Sequence, residues 1–239
     1  MINEKYQFAS FLRYKGIRHG VSSKTFGSMK KDAVDVDREN LSKFAQGIGI
    51  TGDIISMKQI HSSTVRAIEN TSDLRISATD GLITSKKNLP LSVLTADCLP
   101  LLFYDPKQQV IGVVHAGYKG ILNHIIENTI HRFTTDFTSD PKDIIVGIGP
   151  CIEMMCYEVS QELIGEFDKA FPEFENICAE IGGKYFLNLR EVAQQSLAKA
   201  GILKEHIEVM NICTKCDKNF YSYRSGDKFE RFVSVMSLV

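Results

Sequence analysis

Residues 91–117 read LSVLTADCLPLLFYDPKQQVIGVVHAG, and this stretch decides the fold. Leu91 to Ala96 is a short apolar, partly β-branched run of the kind that forms a buried strand. Leu99 to Tyr104 reads as its continuation after a break at Asp97-Cys98. Asp105-Pro106-Lys107 is a turn signal. Val110 to His115 is the next apolar run, so the two runs around the turn form a hairpin, and Ala116-Gly117 then turns the chain.

Working outward, Ile121, Leu122, Ile125, Ile126, Ile130 and Phe133 recur at helical spacing. Asp143 to Ile148 is a third strand that ends in Gly149-Pro150. Ser160 is a plausible N-cap for a helix, and Asn188 for another that runs to Ala200 and stops at Gly201. Ile207 to Ile212 and Phe232 to Val239 are late strands. Strands and helices alternate while hairpins interrupt the parallel pattern. The expected fold is therefore an α/β (α+β) layered sandwich with a mixed sheet. No internal repeat and no Pro/Gly/Ser linker divides the 239 residues, so one catalytic domain over residues 1–239 is the expectation.

Composition narrows the function. Hydrophobic residues make up 44% and charged residues 24%, with a formal net charge of -1, which gives no bulk drive toward nucleic acid or anionic membranes. No apolar run reaches the ~20 residues of a membrane-spanning helix. The first sixteen residues, MINEKYQFASFLRYKG, carry no apolar core of secretory type. Six cysteines do not staple a chain this long, so a reduced cytoplasmic protein is expected. A multicopper oxidase is excluded as well. Its four coppers need paired His-x-His and His-Cys-His motifs, whereas the six histidines here (His19, His61, His115, His124, His131, His206) are never two apart and never adjoin a cysteine.

Three segments place a reactive side chain where an apolar strand meets a turn: Met57-Lys58-Gln59-Ile60-His61, Thr95-Ala96-Asp97-Cys98 and Val113-Val114-His115-Ala116-Gly117. One Cys and two His suit zinc, and three protein ligands leave a fourth position open for catalysis. The residue types equally allow hydrogen-bonded core histidines and a buried thiol. Cys213-Thr214-Lys215-Cys216 reads as a redox pair, as half of a structural zinc site, or as two reduced thiols, with no second CxxC pair nearby. In Phe220-Tyr221-Ser222-Tyr223-Arg224-Ser225, aromatics can stack on a base while Arg224 holds phosphate; the alternative is a strand edge with a surface arginine.

Five segments then occur in one order: Thr95-Ala96-Asp97-Cys98-Leu99-Pro100, His115-Ala116-Gly117-Tyr118-Lys119-Gly120, Ile148-Gly149-Pro150-Cys151-Ile152, Tyr157-Glu158-Val159, and Cys213-Thr214 with Phe220-Tyr221-Ser222-Tyr223-Arg224. With them, from about His19 to the C-terminus, the chain resembles the YfiH/YlmD family, long described as polyphenol oxidase, laccase domain, and now as purine nucleoside phosphorylases. The resemblance implies a fold related to the catalytic domain of cytotoxic necrotizing factors. It implies one Zn2+ held by His61, Cys98 and His115. It also implies phosphorolysis of adenosine, inosine, guanosine and S-methyl-5'-thioadenosine, with adenosine deaminase activity. The partners are then purine nucleosides and inorganic phosphate. Tyr118 stands where the family usually has Trp, and Asn188 where it often has Asp. On this reading Arg224 and Lys119 balance phosphate charge, Gln59 lies on the substrate side, and Asp97 orients the site or moves a proton. Two alternatives share these residues: a metal-independent cysteine hydrolase with a Cys98–His115 dyad, and a peptidoglycan-precursor editing hydrolase. A non-enzymatic binding module is the remaining class.

Overall fold

Every residue of strand Leu99–Asp105 is buried, and its side chains serve two different cores. Leu99, Leu101 and Phe103 belong to one hydrophobic cluster, and Leu102 and Tyr104 to another. Strand Val110–Ala116 divides in the same way, with Val110 and Val114 in the first cluster and Ile111 and Val113 in the second. A strand covered on both faces loses the polar half of the period-2 pattern, which is why this stretch reads as nearly continuous apolar sequence. The structure is a computed structural model that describes residues 6–32, 35–70 and 72–239. The opening segment judged for secretory character falls in part on residues 1–5, outside the described ones.

The two strands form the expected antiparallel hairpin at the centre of a six-stranded mixed sheet. Ile145–Ile148 pairs antiparallel with Leu99–Asp105 and parallel with Ile207–Val209. On the other side Gly81–Thr84 pairs antiparallel with Val110–Ala116 and parallel with Val65–Ala67. One face is covered by helices Ile125–Phe137 and Leu189–Lys199, through Ile126, Ile130, Phe133, Val192 and Leu197. The other face meets a three-stranded antiparallel sheet of Ile17–Val21, Phe232–Leu238 and Leu91–Thr95. Strand Phe232–Leu238 again alternates. Phe232, Met236 and Leu238 face the six-stranded sheet, and Val233 and Val235 join Leu41 and Phe44 of helix Arg38–Gly47. The result is helix, sheet, sheet, helix: the layered mixed-sheet sandwich the sequence predicts.

Two expectations are corrected. Leu99–Asp105 does not continue Leu91–Thr95; the two lie in different sheets. Asp97 between them has φ 86, and this left-handed residue turns the chain from one sheet into the other. The single helix expected from Ile121 is two, Tyr118–Leu122 and Ile125–Phe137, broken at His124 with φ 61. The caps are as expected: Ser160 accepts from Leu163 N, and Asn188 from Glu191 N.

His19 lies inside this sandwich, only 2% exposed, and its Nε2 accepts the backbone N–H of Phe8 at 2.8 Å. Burial lowers its pKa from 6.5 to about 4, against the pull of the Glu208 carboxylate. The folded protein thus refuses a proton that the unfolded chain accepts. Stability is complete above about pH 6.5 and declines as pH falls toward 4, by on the order of 3 kcal/mol. Urea unfolding at a series of pH values should show this decline in the wild type and a shallower one in His19→Gln. An identical pH dependence in the two proteins would assign the acid sensitivity to other groups.

Candidate active site

Three chain segments meet at Gly117. A Cβ built there would lie 3.0 Å from the His61 ring, 3.1 Å from Cys98 Sγ and 3.7 Å from the His115 ring. Only a residue without a side chain leaves that space open. The ligating atoms of His61, Cys98 and His115 all lie within 4.8 Å of one another. The two imidazoles meet edge to face with centroids 4.7 Å apart. His115 is buried near the end of its strand, Cys98 is half-buried at the crossing between sheets, and His61 is exposed in the loop after Met57.

Asp80 organises the three. Its carboxylate is fully buried at the entry to strand Gly81–Thr84. Oδ1 accepts the His61 N–H at 3.0 Å and lies 2.8 Å from His115 Nδ1. Oδ2 accepts Ile60 N–H at 3.2 Å and both the N–H and hydroxyl of Ser62 at 2.7 Å. Burial opposes the Asp80 charge, but His115 and the Ser62 donors hold its pKa down at about 2. With Nδ1 donating to Asp80, His115 turns its Nε2 to the cluster. Burial also works against a Cys98 thiolate, yet the charge and hydrogen bonds of His115, with smaller help from His61, lower its pKa to about 6. His115 rises to about 9 in spite of its burial, through Cys98 and Asp80. The donor set of one thiolate and two imidazoles, pre-aligned by a buried carboxylate around open space, fits a borderline-soft divalent ion.

The remaining expected residues separate by what they touch. Both oxygens of Asp97 are engaged: Oδ1 accepts the Thr214 hydroxyl at 2.7 Å and Oδ2 the Arg224 N–H at 2.8 Å. That geometry suits the orienting role, tying the Cys98 turn to the 214–224 loop. Arg224 is exposed; its Nη1 donates to the Glu158 carbonyl at 2.8 Å and its guanidinium lies 4.6 Å from the Tyr157 ring centre. Lys119 is exposed on the short helix that follows Gly117. Gln59 is turned elsewhere: its amide donates to Leu94 O at 2.8 Å and accepts from Leu94 N at 3.0 Å. It caps the edge strand Leu91–Thr95 and so anchors the segment that carries His61.

Two residues were not anticipated. Asp80 sits in Thr79-Asp80-Gly81, which reads as a turn; the signal was an acidic residue directly before a strand adjoining two histidine segments. Arg231 is the other. Its charge reaches both Cys98 and Asp97, and burial pushes its pKa below the ordinary arginine value.

Several known proteins are similar to this chain. The family model described as multi-copper polyphenol oxidoreductase laccase matches residues 7–239. A Bacillus subtilis protein, purine nucleoside phosphorylase YlmD, is 37% identical over 152 residues, which is 62% of this chain and 54% of that protein. A purine nucleoside phosphorylase of Clostridium acetobutylicum is 34% identical over 179 residues, covering 74% of this chain and 72% of the relative. The crystal structure of YlmD from Geobacillus stearothermophilus superposes with a TM-score of 0.85 at 26% identity, covering 97% of this chain and 94% of that one. No helix among the described residues is long and apolar enough to cross a membrane.

Proposed function

The chain belongs to the family described as multi-copper polyphenol oxidoreductase laccase, and from that premise we propose that it is a zinc-dependent purine nucleoside phosphorylase rather than a copper oxidase. The family description names several coppers. Among the described residues only two groups of three donors exist, His61/Cys98/His115 and Cys156/Cys213/Cys216, and neither resembles a multinuclear imidazole cluster. The names of the relatives support nucleoside phosphorolysis. The observation that carries the reading is the convergence of His61, Cys98 and His115 on the space at Gly117, with Tyr157, which bears the Arg224 guanidinium, within electrostatic reach of Cys98.

In phosphorolysis a phosphate oxygen bonds to the ribose anomeric carbon, the bond to the purine nitrogen breaks, and its electron pair leaves with the base, which takes up a proton. His61, Cys98 and His115 would hold zinc, which supplies Lewis-acid charge in the site. Arg224 and Arg231 bring positive charge to a dianionic substrate, with Lys119 at the rim. Tyr157, buried in the core, carries the Arg224 guanidinium over its ring and so fixes where that charge sits. Asp97 keeps Arg224 in place through its backbone. The middle hydrophobic cluster draws on both sheets and the other two each pack on one of them, which supports treating residues 1–239 as one catalytic unit.

The test is a panel of adenosine, inosine, guanosine and S-methyl-5'-thioadenosine, each with and without phosphate, followed by chromatography. Free base together with a pentose 1-phosphate, formed only when phosphate is present, is the expected result. Inosine from adenosine in the absence of phosphate would report the proposed deaminase side activity. A panel without phosphate-dependent base release would sink the proposal. Within it, Arg224→Ala should raise the phosphate KM about tenfold to a hundredfold and the nucleoside KM much less. Unchanged phosphate kinetics in the folded variant would leave Arg224 a surface residue.

A second reading is favoured by one observation. Cys98, His115 and Asp80 line up as thiol, imidazole and carboxylate, with the thiol lowered to about 6 against the effect of burial. That is the geometry of a metal-independent cysteine hydrolase.

A further inference from the structure

The CxxC segment has a third partner 57 residues before it. Cys156 ends the short helical turn Met154–Cys156, and its Sγ lies 3.3 Å from Cys216 Sγ. The sulfurs of Cys156, Cys213 and Cys216 all lie within 4.8 Å of one another. Cys213 is buried, Cys156 half-buried and Cys216 exposed, so the cluster has a floor and an open side.

We infer that Cys156, Cys213 and Cys216 form a second metal site, a three-thiolate centre for a thiophilic ion such as Zn(II), separate from the site at Gly117. The spacing suits it. Sulfurs at the ~2.3 Å zinc–thiolate distance and tetrahedral angles sit about 3.8 Å apart; the Cys156–Cys216 pair at 3.3 Å is close to that spacing, and all three sulfurs lie within 4.8 Å of one another. The surrounding backbone suits it too. The Glu153 N–H points at Cys213 Sγ at 3.5 Å, and the N–H groups of Lys215 and Cys216 are also directed at that sulfur. Several N–H donors around one sulfur stabilise a thiolate ligand and fix its direction. An alternative, a Cys156–Cys216 disulfide, needs an oxidant to take two electrons and two protons, and it leaves the third sulfur and its N–H donors without a role. Metal binding needs no redox partner; each coordinating thiol releases its proton to solvent.

The centre would brace two loops that backbone hydrogen bonds already join, Thr214 N–H donating to Cys151 O at 3.0 Å. Cys151 and Cys213 pair as an isolated β-bridge, and Thr214, next to Cys213, donates to Asp97. An ion there would cross-link the 154–156 turn to the 213–216 turn immediately behind Asp97. Its exposed side gives the ion a path in through Cys216.

The test uses the full chain, reduced and stripped of metal, titrated with zinc and then desalted for elemental analysis. Wild type should retain about two zinc ions per chain. Cys216→Ser should retain one, His61→Ala one, and the combined variant none. Cys216 is exposed, so its serine variant should fold as the wild type does, which circular dichroism checks. As a second readout, zinc should slow iodoacetamide labelling of Cys156 and Cys216 at least about tenfold in the His61→Ala background. These readouts do not depend on any nucleoside activity, so failure here is distinct from failure of the phosphorylase proposal. A wild type holding a single zinc that His61→Ala abolishes, unprotected Cys156 and Cys216, or a Cys156–Cys216 disulfide in freshly isolated protein would each overturn the inference.

Discussion

His61→Ala is expected to lose zinc from the Gly117 site and nucleoside phosphorolysis together. Disturbing a residue that merely orients a ligand already costs about 10–100-fold in metal affinity or activity, so loss of one of three ligands should exceed that. The variant separates the two enzyme readings, because Cys98→Ala is inactive in both. In a Cys98–His115–Asp80 hydrolase, His61 touches the thiol but is not needed for the relay. The backbone at His61 complicates a simple alanine exchange. His61 has φ 59, a left-handed conformation that strains alanine but that asparagine tolerates. His61→Asn therefore serves as the companion variant, keeping the turn and the N–H bond to Asp80 while removing the imidazole. Both variants should be inactive, and thoroughly chelated wild type should regain activity with added zinc. An active His61→Asn protein with an empty Gly117 site, indifferent to chelators, would move the assignment to the hydrolase.

How much of this was legible depended on whether a residue's signal lay near it in the chain. The Leu99–Ala116 hairpin was readable because two apolar runs flank a Pro-containing turn. The caps at Ser160 and Asn188 were readable because an N-cap works over three residues. The sheet change at Asp97 was not, since an aspartate can sit in a turn, a strand end or a left-handed crossing, and only packing of the second sheet selects the last. The split of the helix at His124 was hidden for the same reason: a continuous apolar stripe does not report one left-handed residue. The residues His61, Cys98 and His115 stood out by type and strand-end placement. Gln59 looked like part of that site, but its amide completes a sheet edge, and sequence alone does not say which neighbour a polar side chain will satisfy. Cys156 carried no pattern that linked it to Cys213 and Cys216, because the link is made in space, through the Cys151–Cys213 bridge and the contacts beside it.

Asp80 shows what such a hidden residue controls, and Asp80→Asn should have the second of the two large effects. The exchange preserves shape and removes only charge and one acceptor. In the wild type both oxygens accept: Oδ1 faces His61 N–H and His115 Nδ1, and Oδ2 faces Ile60 N–H with the N–H and hydroxyl of Ser62. An asparagine has one oxygen and one NH2 group. If its oxygen keeps the His61 and His115 side, the NH2 confronts the Ile60 and Ser62 N–H groups, and the loop that carries His61 loses its anchor. If it turns over, the NH2 confronts the His61 N–H and favours an unprotonated Nδ1 on His115. The proton then moves to Nε2, the atom a metal needs bare. Either orientation leaves about two half-buried donors without acceptors, a cost of roughly 1–2 kcal/mol in folding stability, and lowers zinc affinity at the Gly117 site about 10–100-fold. Asp97→Asn is the contrasting variant. Asn tolerates the φ of 86, and because Asp97 accepts through Thr214 and Arg224 rather than touching a ligand, its zinc affinity should stay near wild type while phosphate binding weakens. Urea unfolding, competition with a chelator of known affinity and the NMR tautomer of His115 give the three readouts. A merely structural Asp80 would lower stability alone. Asp80→Asn with wild-type zinc affinity and His115 still protonated at Nδ1 would remove Asp80 from the site and leave it as a core hydrogen-bonding group.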